Sequence, residues 1–504
     1  MEPMTIALAV GAALFGYFAA KKLRSPSNLP PGPPAVPIFG SSLWIQFPMR
    51  CWILKTPQLY GQVCTFVLDG RRICVLNSYE AVREAFLTHS SNFSGRQVNI
   101  FTTKVLGNSG LLAGDGPKWK QLRRFSLQAL RDFGFGKSGS EETIAREAQE
   151  LIAALESSNG QPTSTSVPFN KAVSNVICSL VFGSRVADED PSFEEKLSLI
   201  NKLTQTSAES RHPLLTITMA FQRFLSPELV LSMPFPKKMV GIFNSVFNFC
   251  QGQIDAKEAA YNTADEPRDY IEAFLAERHR LTDAPQDAKA HLSNKNLQVS
   301  ISDLFVAGTD TTANSLRWIA LHLALNSDLQ ERLASYVKDK LGDRPPVMGD
   351  RPNLPLIEAF IHEAQRYYTL VPTGVPHRTT ADAELLGYFI PKDTVVFSNI
   401  QAVHSDPTNF PDPETFDPDR FIDSAGKFRP SERIIPFSIG KRSCLGESLA
   451  RMELFLFAVS LVQAFRIGIP DSESNRLDEI RRYSGGVVHS PGPHELIFQR
   501  RDDD

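Results

Sequence analysis

Apolar residues recur every three to four positions over most of the middle of the chain, which is the spacing of one helix face. Examples are Trp119 to Leu130, Glu141 to Leu155, Leu297 to Leu325 and Asn353 to Tyr368. In the last of these, Asn353 is the predicted N-cap and Pro355 lies in the first turn. The pattern predicts that the middle of the chain is mainly helical.

Short apolar runs near both ends predict small sheets. Val63 to Leu68 and Ile73 to Leu76 flank Asp69-Gly70, a dipeptide typical of a tight hairpin turn. The later extended pieces are Gly387 to Pro391, Thr394 to Asn399 and a tail, Gly486 to Phe498, predicted to fold as a hairpin around Pro491-Gly492-Pro493. The predicted fold class is mainly α with small β-sheets (α+β).

The amino terminus has the pattern of a membrane anchor. Residues 3–20 carry no charge, Glu2 precedes them, and Lys21, Lys22 and Arg24 follow. This length can cross a bilayer, and the basic flank predicts that the rest of the chain faces the cytosol. The alternative is a cleaved signal peptide, which prefers a basic start. We expect an anchor at residues 1–24, a stiff proline-rich spacer at 25–34 and one catalytic domain at 35–504.

The composition is that of a folded protein with a large core, since 42% of the 504 residues are hydrophobic and 22% are charged. The net charge of -3, from 53 Lys+Arg and 56 Asp+Glu, does not favour nucleic acid as a partner. Six cysteines without a C-x-x-C pair predict neither a zinc site nor a disulfide framework. Five of them are interpreted as small buried hydrophobic residues, and Cys444 is the exception.

Cys444 lies in the segment F-S-I-G-K-R-S-C-L-G, from Phe437 to Gly446. A cysteine that binds a metal must be a thiolate, which backbone N–H groups at a helix start and a nearby cation such as Arg442 stabilise. Gly440 and Gly446 permit a close approach of the backbone. The segment resembles the cysteine loop of the cytochrome P-450 (haem-thiolate monooxygenase) family, F-x-x-G-x-R-x-C-x-G, at every fixed position.

This resemblance implies the cytochrome P-450 fold, with haem b (iron protoporphyrin IX) between a long helix and the Cys444 loop. Cys444 would be the axial ligand of the iron, and Phe437, Arg442 and Gly446 would surround the cofactor. A haem-free reading, in which the chain is a membrane-anchored scaffold, leaves the spacing of this segment unexplained.

A second motif, A-G-T-D-T-T, covers Ala307 to Thr312 within a long apolar helix. Leu304, Ala307, Gly308 and Thr311 are predicted to share a face that a flat ligand can approach. Gly308 costs a helix about 1 kcal/mol relative to Ala, so a plain core helix would gain nothing from it. The resemblance makes Asp310 and Thr311 the acid and alcohol that deliver protons during dioxygen activation, with Ala307 beside the haem. Alternatively, Thr311 merely bonds back to a helix carbonyl.

Glu363 and Arg366 stand three apart on a predicted helix and can pair there. By themselves they could form an ordinary surface ion pair. The family pattern E-x-x-R, followed here by Pro418-Asp419-Arg420-Phe421, instead implies a buried structural cluster of Glu363, Arg366 and Arg420 that holds the segment before the cysteine loop.

The two haem propionates require cations and hydrogen-bond donors. Trp119 and Arg123, four apart on one helix, resemble a propionate-binding pair of the microsomal enzymes. Arg96, His377 and Arg442 match further propionate positions in the animal family-2 microsomal branch. For His377 the alternative is an ordinary histidine in a surface turn.

The resemblance implies an NADPH- and O2-dependent monooxygenase of the endoplasmic reticulum membrane, acting on a fatty acid, a steroid or a foreign lipophile. No nucleotide-binding motif is evident, so electrons would come from NADPH-cytochrome reductase, with cytochrome b5 as a second candidate partner. Candidate docking residues are Lys120, Arg131, Lys137 and Lys441. A haem-thiolate isomerase or dehydratase and a non-catalytic haem protein remain alternatives.

Two further segments are predicted to shape the substrate side. Residues 99–110 and 205–236 match cavity-lining regions of the family. Within the second, Met233 to Lys238 mixes apolar residues with lysines and is predicted to touch the membrane, with an ordinary loop as the alternative.

Overall fold

The computed structural model describes residues 28–36, 39–46, 48–134, 138–185, 193, 195, 197, 198, 225–482 and 486–501. The predicted anchor and residues 205–224 of the predicted cavity lining lie outside these ranges. In the described part of the chain, no helix combines the length and the apolar character needed to cross a membrane.

Helices dominate, as the sequence predicts. The long ones are Gly116–Asp132, Ser138–Glu156, Ser166–Val181, Pro234–Ala260, Tyr270–Arg280, Asn294–Leu325, Ser327–Leu341, Pro355–Tyr368 and Glu447–Ala464. Short helices are Met49–Ile53, Thr56–Tyr60, Tyr79–Arg83, Ile100–Lys104, Pro227–Ser232, Gln286–Lys289, Ile400–His404, Asp471–Ser474 and Leu477–Arg481, with a π-helical turn at Glu84–Thr88. The 3-10 turns in the described ranges are Met348–Asn353, Pro418–Phe421 and Gly440–Arg442.

Asn353 is not a helix N-cap, so that prediction is wrong. It ends the 3-10 turn Met348–Asn353, and Leu354 caps the next helix without a side-chain hydrogen bond. Pro355 does occupy the first turn, where its missing N–H leaves no helical bond unmade.

The helix Asn294–Leu325, here called the central helix, contacts both Ser166–Val181 and Glu447–Ala464, here called the Cys-loop helix. Gly308 lies where the central helix crosses Ser166–Val181, and a Cβ atom at this position would be 2.9 Å from the Ile177 side chain. The expectation that a plain core helix gains nothing from Gly308 is therefore wrong, since the close packing of these two helices favours a residue without a side chain here.

Ten strands form three sheets in the described residues. They are β1 Val63–Leu68, β2 Arg71–Leu76, β3 Gly95–Arg96, β4 Thr163–Ser164, β5 His377–Arg378, β6 Ala383–Leu385, β7 Tyr388–Ile390, β8 Val395–Ser398, β9 Phe465–Gly468 and β10 Glu495–Arg500. The sheet orders are β1-β2-β8-β5-β3, β4-β10-β9 and β6-β7. Among these ten strands, β2 and β8 are the pair that runs parallel.

The hairpin prediction around Asp69-Gly70 is confirmed. β1 and β2 pair antiparallel, and Asp69 and Gly70 adopt φ of 51° and 70°, as a tight hairpin turn requires. The predicted tail hairpin is wrong, because β10 pairs instead with β4 and β9. Residues 486–490 form no strand.

Candidate functional site

The cysteine loop is held against the π-helical turn Glu84–Thr88. Gly440 has φ of 83°, and a Cβ atom there would be 2.1 Å from the Phe86 carbonyl oxygen. The Cys444 N–H donates to the Phe437 carbonyl at 2.8 Å, which closes the loop. Only glycine at 440 permits both this backbone conformation and this approach.

Cys444 is exposed to solvent although protein atoms surround its sulfur. Its side chain is accessible to solvent, yet the surrounding protein raises the pKa of the thiol by desolvation. The Gly446 N–H and the positive charge of Arg123 oppose that rise in the pKa. Gly446 is the N-cap of the Cys-loop helix, as the predicted helix start requires. Binding of a metal ion would remove the thiol proton outright.

Arg442 does not act directly on the sulfur, contrary to the expected arrangement. Its guanidinium lies 3.2 Å from the centre of the Trp119 ring and donates to the carbonyls of Ser94 and Gly114, both at 2.8 Å. Arg123 takes the place beside the cysteine, donating to the Ser443 carbonyl at 2.6 Å.

Three guanidinium groups converge here. Burial, followed by the charge of Arg96, lowers the pKa of Arg442 to about 8. Burial and the charge of Arg123 likewise lower the pKa of Arg96 to about 10. Asp115, 3.4 Å from Arg442, opposes both shifts, and Asp303 also opposes the shift in the pKa of Arg96. The cluster therefore carries an excess of buried positive charge.

One hydrogen-bond donor in this cluster is free. Arg442 Nη1 is buried and has no hydrogen-bond partner among the described residues. A buried donor without an acceptor is unfavourable, and an anionic ligand would relieve both this and the excess charge. An accessible cysteine beside such a cluster fits a metal-bearing ring with carboxylate side arms, which is haem.

The backbone brings Arg96 and His377 together, because they are directly paired in the β3–β5 ladder. Arg96 donates to the carbonyls of Leu112, Val375 and Pro376 at 2.9 to 3.1 Å. His377 is buried rather than in a surface turn, and stacks on Phe86 with ring centres 4.0 Å apart.

Two of the expected propionate donors already have partners. Trp119 Nε1 donates to the Leu111 carbonyl at 3.0 Å. His377 Nδ1 donates to the Phe93 carbonyl at 2.8 Å, and burial holds the pKa of this imidazole well below its usual value. His377 Nε2 is thus an acceptor, and contact with a carboxylate would require the ring to gain a proton.

The acid and the alcohol of the central helix lie on different sides. Ala307 is exposed and Thr311 half-buried, whereas Asp310 is completely buried. The Thr311 hydroxyl donates to the Ala307 carbonyl at 2.7 Å, which is the back-bonding that sequence reasoning left open. Asp310 Oδ1 instead accepts from Asn314 Nδ2 at 2.9 Å.

Glu363, Arg366 and Arg420 form a buried cluster. Arg366 and Glu363 make two bonds of 2.6 and 2.7 Å, and Arg420 joins Glu363 at 3.3 Å. Arg366 also donates to the carbonyls of His404 and Pro413 at 3.0 and 2.8 Å. The cluster thereby attaches the chain before the cysteine loop to the helix Pro355–Tyr368.

Sequence reasoning missed two acids whose pKa is raised, the half-buried Asp303 and the buried Glu453. Asp303 Oδ2 accepts the backbone N–H groups of Leu111 and Leu112 at 2.8 and 2.9 Å, and desolvation raises its pKa to about 7. Glu453, on the Cys-loop helix, accepts from the Thr312 hydroxyl at 3.0 Å. Each is a lone acid in an apolar helical run, which is the signal that could have revealed it.

The segment 99–110 packs against two long helices. Phe101 contacts Phe243 with ring centres 4.7 Å apart, and Leu106 belongs to an apolar cluster with Phe247 and Val299. Val299 of the central helix therefore meets this segment through apolar contacts. Met233 to Lys238 is not a loop, because a helix begins at Pro234.

Known proteins resemble this chain over nearly its whole length. A model of the Cytochrome P450 family matches residues 30–498. Cytochrome P450 2J2 of Homo sapiens is 35% identical over 98% of this chain and 96% of its own. Cytochrome P450 2H1 of Gallus gallus is 35% identical over 93% of both chains, and Cytochrome P450 2C8 of Homo sapiens is 32% identical over 99% of both. The chain therefore belongs to the cytochrome P450 family, whose members are haem-thiolate oxygenases.

Proposed function

We propose that this protein binds haem b through the Cys444 sulfur and inserts one oxygen atom of O2 into a lipophilic substrate. The observation that supports this best is an accessible cysteine beside a buried arginine cluster in which Arg442 keeps a free donor. When bound, haem supplies the iron at which dioxygen is activated. The second oxygen atom leaves as water, after two electrons and two protons have been delivered.

The protein holds the cofactor with groups of two kinds. Cys444 is the metal ligand, and Gly446 N–H and Arg123 stabilise its negative charge. Arg96, Arg123 and Arg442 bind the two carboxylates, with Arg442 Nη1 as the donor that is available without rearrangement. Trp119 supports Arg442 through its ring face, and the ring of Phe437, the first residue of the loop, faces the Arg451 guanidinium.

Asp310 and Thr311 handle the protons. Ala307 and Thr311 line the open side of the central helix, so the Thr311 hydroxyl is placed to donate a hydrogen bond there once it leaves the Ala307 carbonyl. Asp310 is the acid that resupplies the proton.

The apolar cluster of Phe101, Leu106, Phe243 and Phe247 supports a lipophilic substrate class, namely fatty acids, steroids or foreign lipophiles. Aromatic and aliphatic walls bind such molecules by excluding water.

Electrons come from NADPH through a membrane reductase, with cytochrome b5 as a second donor. Lys120, Arg131 and Lys441 are exposed and offer positive charge for docking, while Lys137 lies outside the described residues. We assign the protein to the endoplasmic reticulum membrane with its catalytic domain in the cytosol, held by residues 1–24. Lys237 and Lys238 are exposed in the first turns of their helix and suit a second contact with anionic lipid.

Carbon monoxide difference spectra of the reduced protein test the ligand. Wild type and Cys51→Ser, the matched control, should show the red-shifted band of thiolate-ligated haem, and Cys444→Ser should lose it. An unchanged band in Cys444→Ser would refute the assignment.

Turnover tests the reaction. With reductase and NADPH, oxygen consumption should accompany a hydroxylated product from a lipid or steroid panel. Rearrangement of hydroperoxides without reductase would instead identify an isomerase, and bound haem without turnover of either kind would identify a non-catalytic haem protein.

A further inference from the structure

A buried chain of hydrogen bonds runs from Asp310 to the opposite side of the central helix. Asn314 Nδ2 donates to the Asp310 carboxylate at 2.9 Å and to the Asp310 carbonyl at 2.7 Å. Asn314 Oδ1 in turn accepts from Arg317 Nη1 at 2.8 Å. Asp310, Asn314 and Arg317 are all buried, at 0%, 1% and 4% exposed.

Arg317 is fixed from two other parts of the fold. Its Nε donates to Thr165 Oγ1 at 3.2 Å, just before the helix Ser166–Val181. Its Nη2 points at the carbonyls of Pro491 and Gly492, both at 3.4 Å, in the turn before β10. These neutral acceptors orient the guanidinium without neutralising it.

Arg317 remains charged in this environment. Burial lowers its pKa to about 10, and the negative charge of Asp310 opposes that shift. Next to Thr165 lies His494 at 3.4 Å, whose pKa is lowered by burial to about 4, so that this ring is neutral at pH 7. Glu473 also acts on His494 but is itself paired with Arg476 at 3.0 Å. Among the described residues, Asp310 is therefore the carboxylate whose charge acts on the pKa of Arg317.

We propose that Arg317 is the positioning residue for Asp310: its charge keeps the buried carboxylate ionised, and Asn314 fixes the side chain between them. A carboxylate in such a site without a countercharge takes up a proton, because desolvation disfavours the charged form. The inference rests on the proposed proton-delivery function, since it explains how the fully buried acid can give up and regain a proton.

The first test measures the protonation of Asp310 in the haem-loaded protein. Arg317→Met removes the charge, and infrared difference spectra with 13C-labelled aspartate separate Asp310 from glutamate signals. At pH 7 the carbonyl band of a protonated aspartic acid should appear in Arg317→Met and vanish in Arg317→Met/Asp310→Asn. Wild type, Arg317→Lys and the surface control Arg332→Met should lack the band.

The second test measures coupling of NADPH oxidation to product. Arg317→Met should lower the coupled fraction about tenfold or more, as Asp310→Asn does, and the double variant should be no worse than either. Arg317→Lys should recover much of the loss. Arg317→Gln gives the same comparison if the methionine variant does not fold.

The outcomes separate this inference from the function it rests on. Absence of the infrared band in every charge-free variant, or additive losses in the double variant, overturns the role of Arg317. A band that appears while coupling stays unchanged confirms the control of Asp310 by Arg317 and overturns Asp310 as the proton-delivering acid.

Discussion

Replacing Glu453 by glutamine should remove a pH dependence of stability from the Cys-loop helix. Glu453 is buried, one carboxyl oxygen accepts from Thr312, and the other has no partner among the described residues. Desolvation raises its pKa from the ordinary 4.5 to about 8, so the folded protein keeps a proton that the unfolded chain loses. Glutamine has nearly the same shape and does not titrate.

The raised pKa of Glu453 determines the sign and the size of this pH dependence of the free energy of unfolding. Between pH 4.5 and about 8 the folded state binds more protons than the unfolded state, so the free energy of unfolding falls as pH rises. Each pH unit in this window contributes about 1.4 kcal/mol. From pH 6 to pH 7.5, wild type should therefore lose ~2 kcal/mol more than Glu453→Gln.

Denaturant unfolding followed by far-ultraviolet circular dichroism, with haem content checked at each pH, measures this difference. Glu384→Gln on the surface is the matched control and should retain the wild-type slope. Parallel pH profiles for wild type and Glu453→Gln would show that Glu453 is already ionised in the folded protein and would refute the reasoning.

Three other substitutions test the site's framework. Gly440→Ala should strain the loop by roughly 1–3 kcal/mol, and should therefore lower both the melting temperature and the yield of thiolate-ligated haem. Gly387 also has a positive φ but has open space around it, so Gly387→Ala should leave haem binding intact. Asp303→Ala should accelerate hydrogen exchange at the Leu111 and Leu112 amides, which donate to the Asp303 carboxylate. Unchanged exchange would show that Asp303 does not hold this loop. Glu363→Gln should destabilise the fold by about 3–5 kcal/mol in denaturant unfolding, because it leaves buried arginine charge uncompensated; a loss below about 1 kcal/mol would mean that backbone carbonyls suffice.

Local chemistry explains which parts of the fold the sequence could predict. The Asp69-Gly70 hairpin and the helix that follows Cys444 depend on residues adjacent in the chain. The tail could not be predicted in this way, because the partners of β10 are β4 and β9, which lie elsewhere in the chain. Gly308 was misread for the same reason, since Ile177 is remote in sequence.

The charged groups show a similar division. Cys444 and its neighbouring glycines form a contiguous motif, so the sequence alone predicts the chemistry of this cysteine. Asp303 and Glu453 each take their role from one distant partner, a loop backbone and a threonine on another helix. A single acid in an apolar run signals a buried function, but only tertiary packing identifies that function.

Asp310 and Thr311 are adjacent in sequence, which makes them easy to describe as one couple, but consecutive residues on a helix point about 100° apart. Here that angle separates a carboxylate bound to Asn314 from a hydroxyl on the open side. A direct hydrogen bond between them would require the Asp310 side chain to rotate away from Asn314. Under the proposed proton delivery, the strength with which Arg317 and Asn314 hold Asp310 would set how readily the acid can reach the Thr311 hydroxyl, and the proton supply would depend on residues behind the central helix as much as on the motif itself.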